Sequence, residues 1–183
     1  MKNTTSKESP SEMEKILKAD EGNLILHCSS LGKTDPSTLS LLVKVTEDLI
    51  YLGRYEEALV KEEELYSLRC KALGKNHEDS VYSLYMVSVF LGRLERYDEA
   101  LEKAKESYKR FCRILGKKNK KTIDALCNIG TIYTWLGMDD DALFNYKECY
   151  NLSCKVFGED HSDTLTVKEY IEPLSIQKAN KRL

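Results

Sequence analysis

The chain has 183 residues, of which 42% are apolar and 32% charged, enough for one continuous core under a well-solvated surface. Its 28 basic and 30 acidic residues leave a net charge of −2, which argues against a nucleic-acid binder built on a basic face. Only three prolines and nine glycines occur, so long helices are expected rather than a turn-rich β fold.

The sequence repeats itself along the chain. The pairs Leu31-Gly32, Leu73-Gly74, Leu115-Gly116 and Phe157-Gly158 recur every 42 residues. Ala58, Ala100 and Ala142 keep the same step, as do Leu42, Leu84 and Leu126, Leu52, Leu94 and Leu136, and Thr38, Ser80, Thr122 and Thr164. The step runs through the chain without insertion or deletion, so the chain reads as a stack of like units. A tail is expected over residues 1–10, then one array over 11–178. The array divides into a half repeat 11–32, full repeats 33–74, 75–116 and 117–158, and a capping helix 159–178, with a tail at 179–183.

Each unit reads as two helices. In the third, Thr122 is expected to cap the first helix, whose Ile123, Leu126, Ile129, Ile132 and Tyr133 recur at helical spacing. Gly137 should end it by taking a left-handed backbone conformation. Asp139, Asp140 and Asp141 then fall where the positive end of the next helix dipole would sit. Ala142, Leu143, Tyr146, Cys149 and Tyr150 form that helix's apolar stripe, and Gly158 closes the unit. In the last helix Lys168 replaces the core leucine, and Pro173 is expected to kink the helix or end it near Glu172.

These residues resemble the tetratricopeptide repeat. Leu126, Ile129, Gly130 and Tyr133 stand at its large, Leu, Gly and Tyr positions, and Ala142 and Tyr146 at its Ala and Phe positions. The 42-residue unit, with the stretches Leu73 to Val81 and Phe157 to Leu165, is similar to the kinesin light chain type of this repeat. The resemblance implies an all-α fold, a right-handed α-solenoid of helix-turn-helix tetratricopeptide repeats. It also implies that a partner peptide lies along the first helices, held in kinesin light chains by asparagines. That column here reads Lys44, Met86, Asn128 and Tyr170, so Asn128 alone matches. The coiled-coil heptads of a light chain are not found.

Cysteine and histidine patterns point away from metal or disulfide chemistry. Cys28, Cys70, Cys112 and Cys154 are one repeat column, and like positions of stacked helix pairs stand too far apart to bridge. Six cysteines without a Cys-x-x-Cys suggest packed thiols in a reducing compartment. His77 and His161 form a column two repeats apart and are expected to help start helices. The cluster Lys117, Lys118, Lys120 and Lys121 reads as a solvated loop. No phosphate loop, nucleophile elbow or His-Glu-x-x-His occurs, so no enzyme, cofactor or metal is expected.

No apolar run approaches the ~20 residues of a spanning helix, and Met1 to Glu14 lacks the apolar stretch of a secretion signal. A cytoplasmic protein without membrane contact is the expectation. The role expected is that of an interaction module or scaffold with a protein partner. The residues left on the inner faces of the first helices are its candidate site. They are Val43, Lys44, Glu47 and Ile50 in the first repeat and Tyr82, Tyr85, Met86, Val89 and Arg93 in the second. Asp124, Asn128, Thr131 and Trp135 complete the set in the third. Tyr82, Tyr85, Met86 and Val89 are not needed by the repeat core, and together they suit an apolar peptide or an amphipathic helix. Alternatives are a structural protein that self-associates into a homo-oligomer through its open ends, and a sensor that changes shape on taking a peptide.

Overall fold

The computed structural model describes residues 9–180, and among these the chain forms eight helices and no strand. In order they are α1 (Pro10–Ser30), α2 (Pro36–Tyr51), α3 (Tyr55–Leu73), α4 (Glu78–Arg93), α5 (Tyr97–Ile114), α6 (Lys120–Trp135), α7 (Asp139–Phe157) and α8 (Ser162–Asn180). Residues 1–8 of the expected N-terminal tail and 181–183 of the C-terminal one lie outside the described residues. The helix begins earlier than the tail expectation allowed. Ser9 accepts from the Glu12 backbone while the Glu12 carboxylate reaches back to Ser9 at 2.9 Å, and this capping box fixes the start at Pro10.

The first helix of each repeat is started by one column of residues with a shared chemistry. Asp35, His77, Asn119 and His161, each 42 apart, accept from the backbone amides of Ser37, Asp79, Lys121 and Asp163 at 2.9–3.2 Å. Both histidines therefore start helices through their Nδ1 atoms. Thr122 does not cap α6: Asn119 does, and Thr122 lies one turn inside the helix with no exposed surface. Three residues upstream of Thr122, an amide side chain competes successfully for the same free backbone donors.

The second helices start differently. Arg54, Arg96 and Met138 precede α3, α5 and α7 without a side-chain cap. Acidic first turns complement the helix dipoles instead, including the expected Asp139 to Asp141. Arg54 and Arg96 each grip the acid three residues on, Glu57 at 2.6 Å and Glu99 at 2.7 Å. The turn between paired helices needs a positive φ, met by Gly53 (71°), Gly137 (70°) and, at the same column, Glu95 (60°).

The chain divides into two compact units, Met1–Lys75 and Asn76–Leu183. In the first unit α2 packs between α1 and α3 around Leu17, Leu42, Val45, Leu49, Ala58 and Leu65. In the second, α4 to α8 pack in succession and α4 also meets α6. Ala58, Ala100 and Ala142 are fully buried, as close helix pairing at an alanine requires. The small column Thr46, Ser88 and Gly130 is buried too. Pro173 does not end α8 near Glu172, because the helix continues to Asn180. Val167 and Leu174 are buried on either side of the proline, while Lys168 is exposed and Pro173 itself faces out.

Candidate functional site

In the second unit α4 and α6 run as neighbours, and every expected site residue on them is half-buried or exposed. Polar contacts tie the pair. The Asn128 amide donates to Ser88 Oγ at 3.0 Å, and Lys121 pairs with Glu78. Ser88 in turn donates to the Tyr85 carbonyl at 2.6 Å. The single asparagine of its column is thus joined to the neighbouring helix, with its carbonyl oxygen still able to accept. Ser88 was not singled out from sequence, although its place in the small column of Thr46 and Gly130 marks it as a close-approach position.

The aromatic residues separate by depth. Tyr82 is 39% exposed, its ring 5.9 Å from Tyr85 and 5.3 Å from the Lys121 ammonium. Tyr85 packs instead against the core formed by Val81, Phe111 and Ala125, so it supports the face more than it offers surface. Its burial pushes the phenol well above its ordinary range. Met86 and Val89 are half-buried along the same helix, and Arg93 is exposed at its end. Trp135, also 39% exposed, lies over Gly92, where a Cβ would stand 2.5 Å from the indole ring. Tyr97 flanks it at 5.6 Å. The absence of a side chain at Gly92 is what seats the tryptophan.

Two further polar candidates on α6, Asp124 and Thr131, are engaged by neighbouring side chains. Burial raises the Asp124 carboxyl above its ordinary range, while Lys120, 3.5 Å away, pulls the other way. Lys120 also pairs with Asp163 on α8. Its bonds to these carboxylates show that part of the lysine cluster is structural and not merely a solvated loop. Thr131 accepts from the Tyr146 hydroxyl at 3.1 Å. Cys127 and Cys149 share a hydrogen bond that lowers the Cys127 thiol and raises the buried Cys149 thiol. All six cysteines are free thiols, and among the described residues no group of His, Cys, Asp or Glu is placed to hold a metal.

The first-unit candidates are Val43, Lys44, Glu47 and Ile50 on α2, again half-buried or exposed. Lys44 is committed elsewhere. Its ammonium lies 2.8 Å from the buried Asp20 carboxylate of α1, and Asp48 shares a hydrogen bond with Asp20. Burial, then that bond, raises the Asp48 carboxyl. Asp20 could not be found from sequence as a column: its counterpart Glu62 is also a buried acid, but Ala104 and Tyr146 at the same step are not acids.

Paired helices at a fixed step, with small residues at their crossings, define a helical-repeat protein. A family model described as tetratricopeptide repeat matches residues 38–79, and a second with the same description matches 81–155. The chain is a tetratricopeptide repeat protein, with an all-α repeat-solenoid fold. Its structure is similar to the nearly identical TPR-like repeats of a candidate kinesin light chain from Podosopora anserina. That match has a TM-score of 0.79 and 13% identity, and covers 94% of this chain and 81% of that one. It is also similar to BtubC (BKLC) from P. vanneervenii, with a TM-score of 0.78, 13% identity, and coverage of 89% and 65%. No curated protein matches the chain. Tetratricopeptide repeats mediate protein–protein interaction or scaffolding. Among the described residues no helix is long and apolar enough to cross a membrane.

Proposed function

We propose that this protein is an interaction module whose α4–α6 face takes an apolar peptide or one side of an amphipathic helix. The observation that carries the reading is the exposure of Tyr82 and Trp135, with Met86 and Val89 half-buried between them, on helices whose core is already filled. Large aromatics left on one face of a filled fold are typical of interface centres. Asn128 adds a carbonyl acceptor for a peptide amide, and Arg93 and Asp124 supply charges of both signs for orientation. A non-enzymatic, cytoplasmic adaptor or scaffold accords with this surface.

The test places a photo-crosslinking residue at Val89 in the native cell extract and identifies what it captures. A peptide spanning the captured segment is then titrated against the protein, with the emission of the single tryptophan, Trp135, as readout. Tyr82→Ser/Val89→Ser, checked to be equally helical, should weaken binding by about tenfold or more. Unchanged affinity in this variant would remove the face from the function. Capture of the chain itself, with a concentration-dependent size, would move the self-association reading ahead.

A further inference from the structure

The first unit contains a cleft of about 420 Å³ between α1, α2 and α3 that none of the candidate residues Val43, Lys44, Glu47 or Ile50 lines. We propose that it binds a medium-chain carboxylic acid, with the alkyl chain among Leu24, Ile25, Cys28, Leu42 and Leu68 and the carboxylate at Lys33 and Lys61. The size falls within the ~300–1,000 Å³ of small-molecule sites. A methylene takes roughly the ~30 Å³ of a water molecule, so a chain of eight to ten carbons fills most of the space.

Two observations select this ligand chemistry. The wall is apolar, and Ile25, 70% exposed at the cleft, is a large side chain that a bound alkyl chain would cover. The rim is cationic. Lys33 lies 3.4 Å from Glu64, so those two charges offset each other. Lys61, on the same rim, makes no ion pair among the described residues. Glu57, which feels the Lys61 charge, is already held by Arg54 at 2.6 Å. Among the lining residues two lysines face one glutamate, so the rim carries one positive charge beyond balance, which favours a carboxylate over an alcohol and disfavours an amine.

The experiment titrates sodium decanoate, decanol and decylamine separately against the full chain, following the methyl resonance of Ile25 by NMR. Decanoate should shift that resonance saturably, and each methylene removed from the acid should weaken binding by about three- to fourfold. Lys61→Gln should weaken decanoate by about five- to tenfold. Glu64→Gln, which releases Lys33, should tighten it several-fold and leave decanol unchanged. Both are surface changes that keep the core intact. Failure of decanoate to saturate the Ile25 shift at millimolar concentration would overturn the proposal. So would equal affinities for the three probes, or variants that leave decanoate affinity unmoved.

Discussion

Single residues decide whether the repeat closes, and Glu95 departs from what its column asks while Gly130 meets it. Glu95 holds a φ of 60° where Gly53 and Gly137 stand in the neighbouring repeats. An L-residue costs ~1–2 kcal/mol in the left-handed region, while glycine adds ~0.5–1 kcal/mol of unfolded-state entropy. Glu95→Gly should therefore stabilise by about 0.5–1 kcal/mol, read as a higher urea midpoint at unchanged slope. Gly130 is the opposite case. A Cβ there would stand 2.8 Å from Tyr146, which is 3% exposed and tied by its hydroxyl to Thr131. The ring cannot retreat, so Gly130→Ala should cost about 1–2 kcal/mol even after the helix-propensity gain of alanine. A midpoint equal to or above that of the parent would show that the crossing has slack. Gly130 was legible as a close-approach residue because the repeat places small residues at its crossings. The cap column was less so: Asp35, His77, Asn119 and His161 share an accepting role and not one residue type, and Thr122 drew the capping role through its hydroxyl.

At the scale of the element, helix pairing in the first unit includes a buried acid pair that no periodicity announces. Asp20 on α1 and Asp48 on α2 are 6% and 7% exposed, with Lys44 facing Asp20 and with Glu47 adding negative charge near Asp48. The raised Asp48 carboxyl means that the folded chain holds its proton more tightly than the unfolded chain does. Its contribution to stability is therefore full below the ordinary value of 3.8 and is lost as pH rises through the raised value. An asparagine side chain in its place would supply permanently the hydrogen bond that protonated Asp48 gives to Asp20. Asp48→Asn is thus expected to raise the melting temperature of the chain at pH 7, with the gain vanishing at pH 3. An equal gain at both pH values would assign the effect to packing and not to the proton. The helices themselves were readable from the 42-residue step, and even their partners were, since small residues mark where paired helices meet. Lys44 shows the limit of that reading. Its helical position puts it on the candidate face, but a buried carboxylate on the preceding helix takes its ammonium. Pro173 shows another limit. A proline is tolerated inside α8 where its ring faces outward and Val167 and Leu174 hold the two halves of the helix on the core.

For the molecule as a whole, the repeat dictated the fold, and the candidate face followed from subtracting the core columns from the first helices. What subtraction could not supply was depth: Tyr85 and Tyr82 are three positions apart on one helix, yet one packs against Phe111 and the other stays open. Repeat proteins add up from units and the contacts between neighbours, so a compact set of units should fold by itself when its own core is large enough. The second unit has five helices packed in succession and includes Phe90, Phe111, Ile132, Tyr146 and Cys149 in its interior. The first has three helices and a chain of the size at which folding is marginal. Residues 76–183 expressed alone should therefore give a cooperative urea transition, whereas residues 1–75 alone should give a broad one at low urea. Trp135 makes the test specific. Its indole is seated on Gly92 of α4 and beside Tyr97 of α5, so parent-like emission from 76–183 reports that three helices have assembled around the candidate face. The same fragment should keep the sensitivity of peptide binding to Tyr82→Ser/Val89→Ser. Helical circular dichroism with solvent-exposed tryptophan emission would mean that the helices form without the face, and would place the origin of its geometry outside the second unit's own packing.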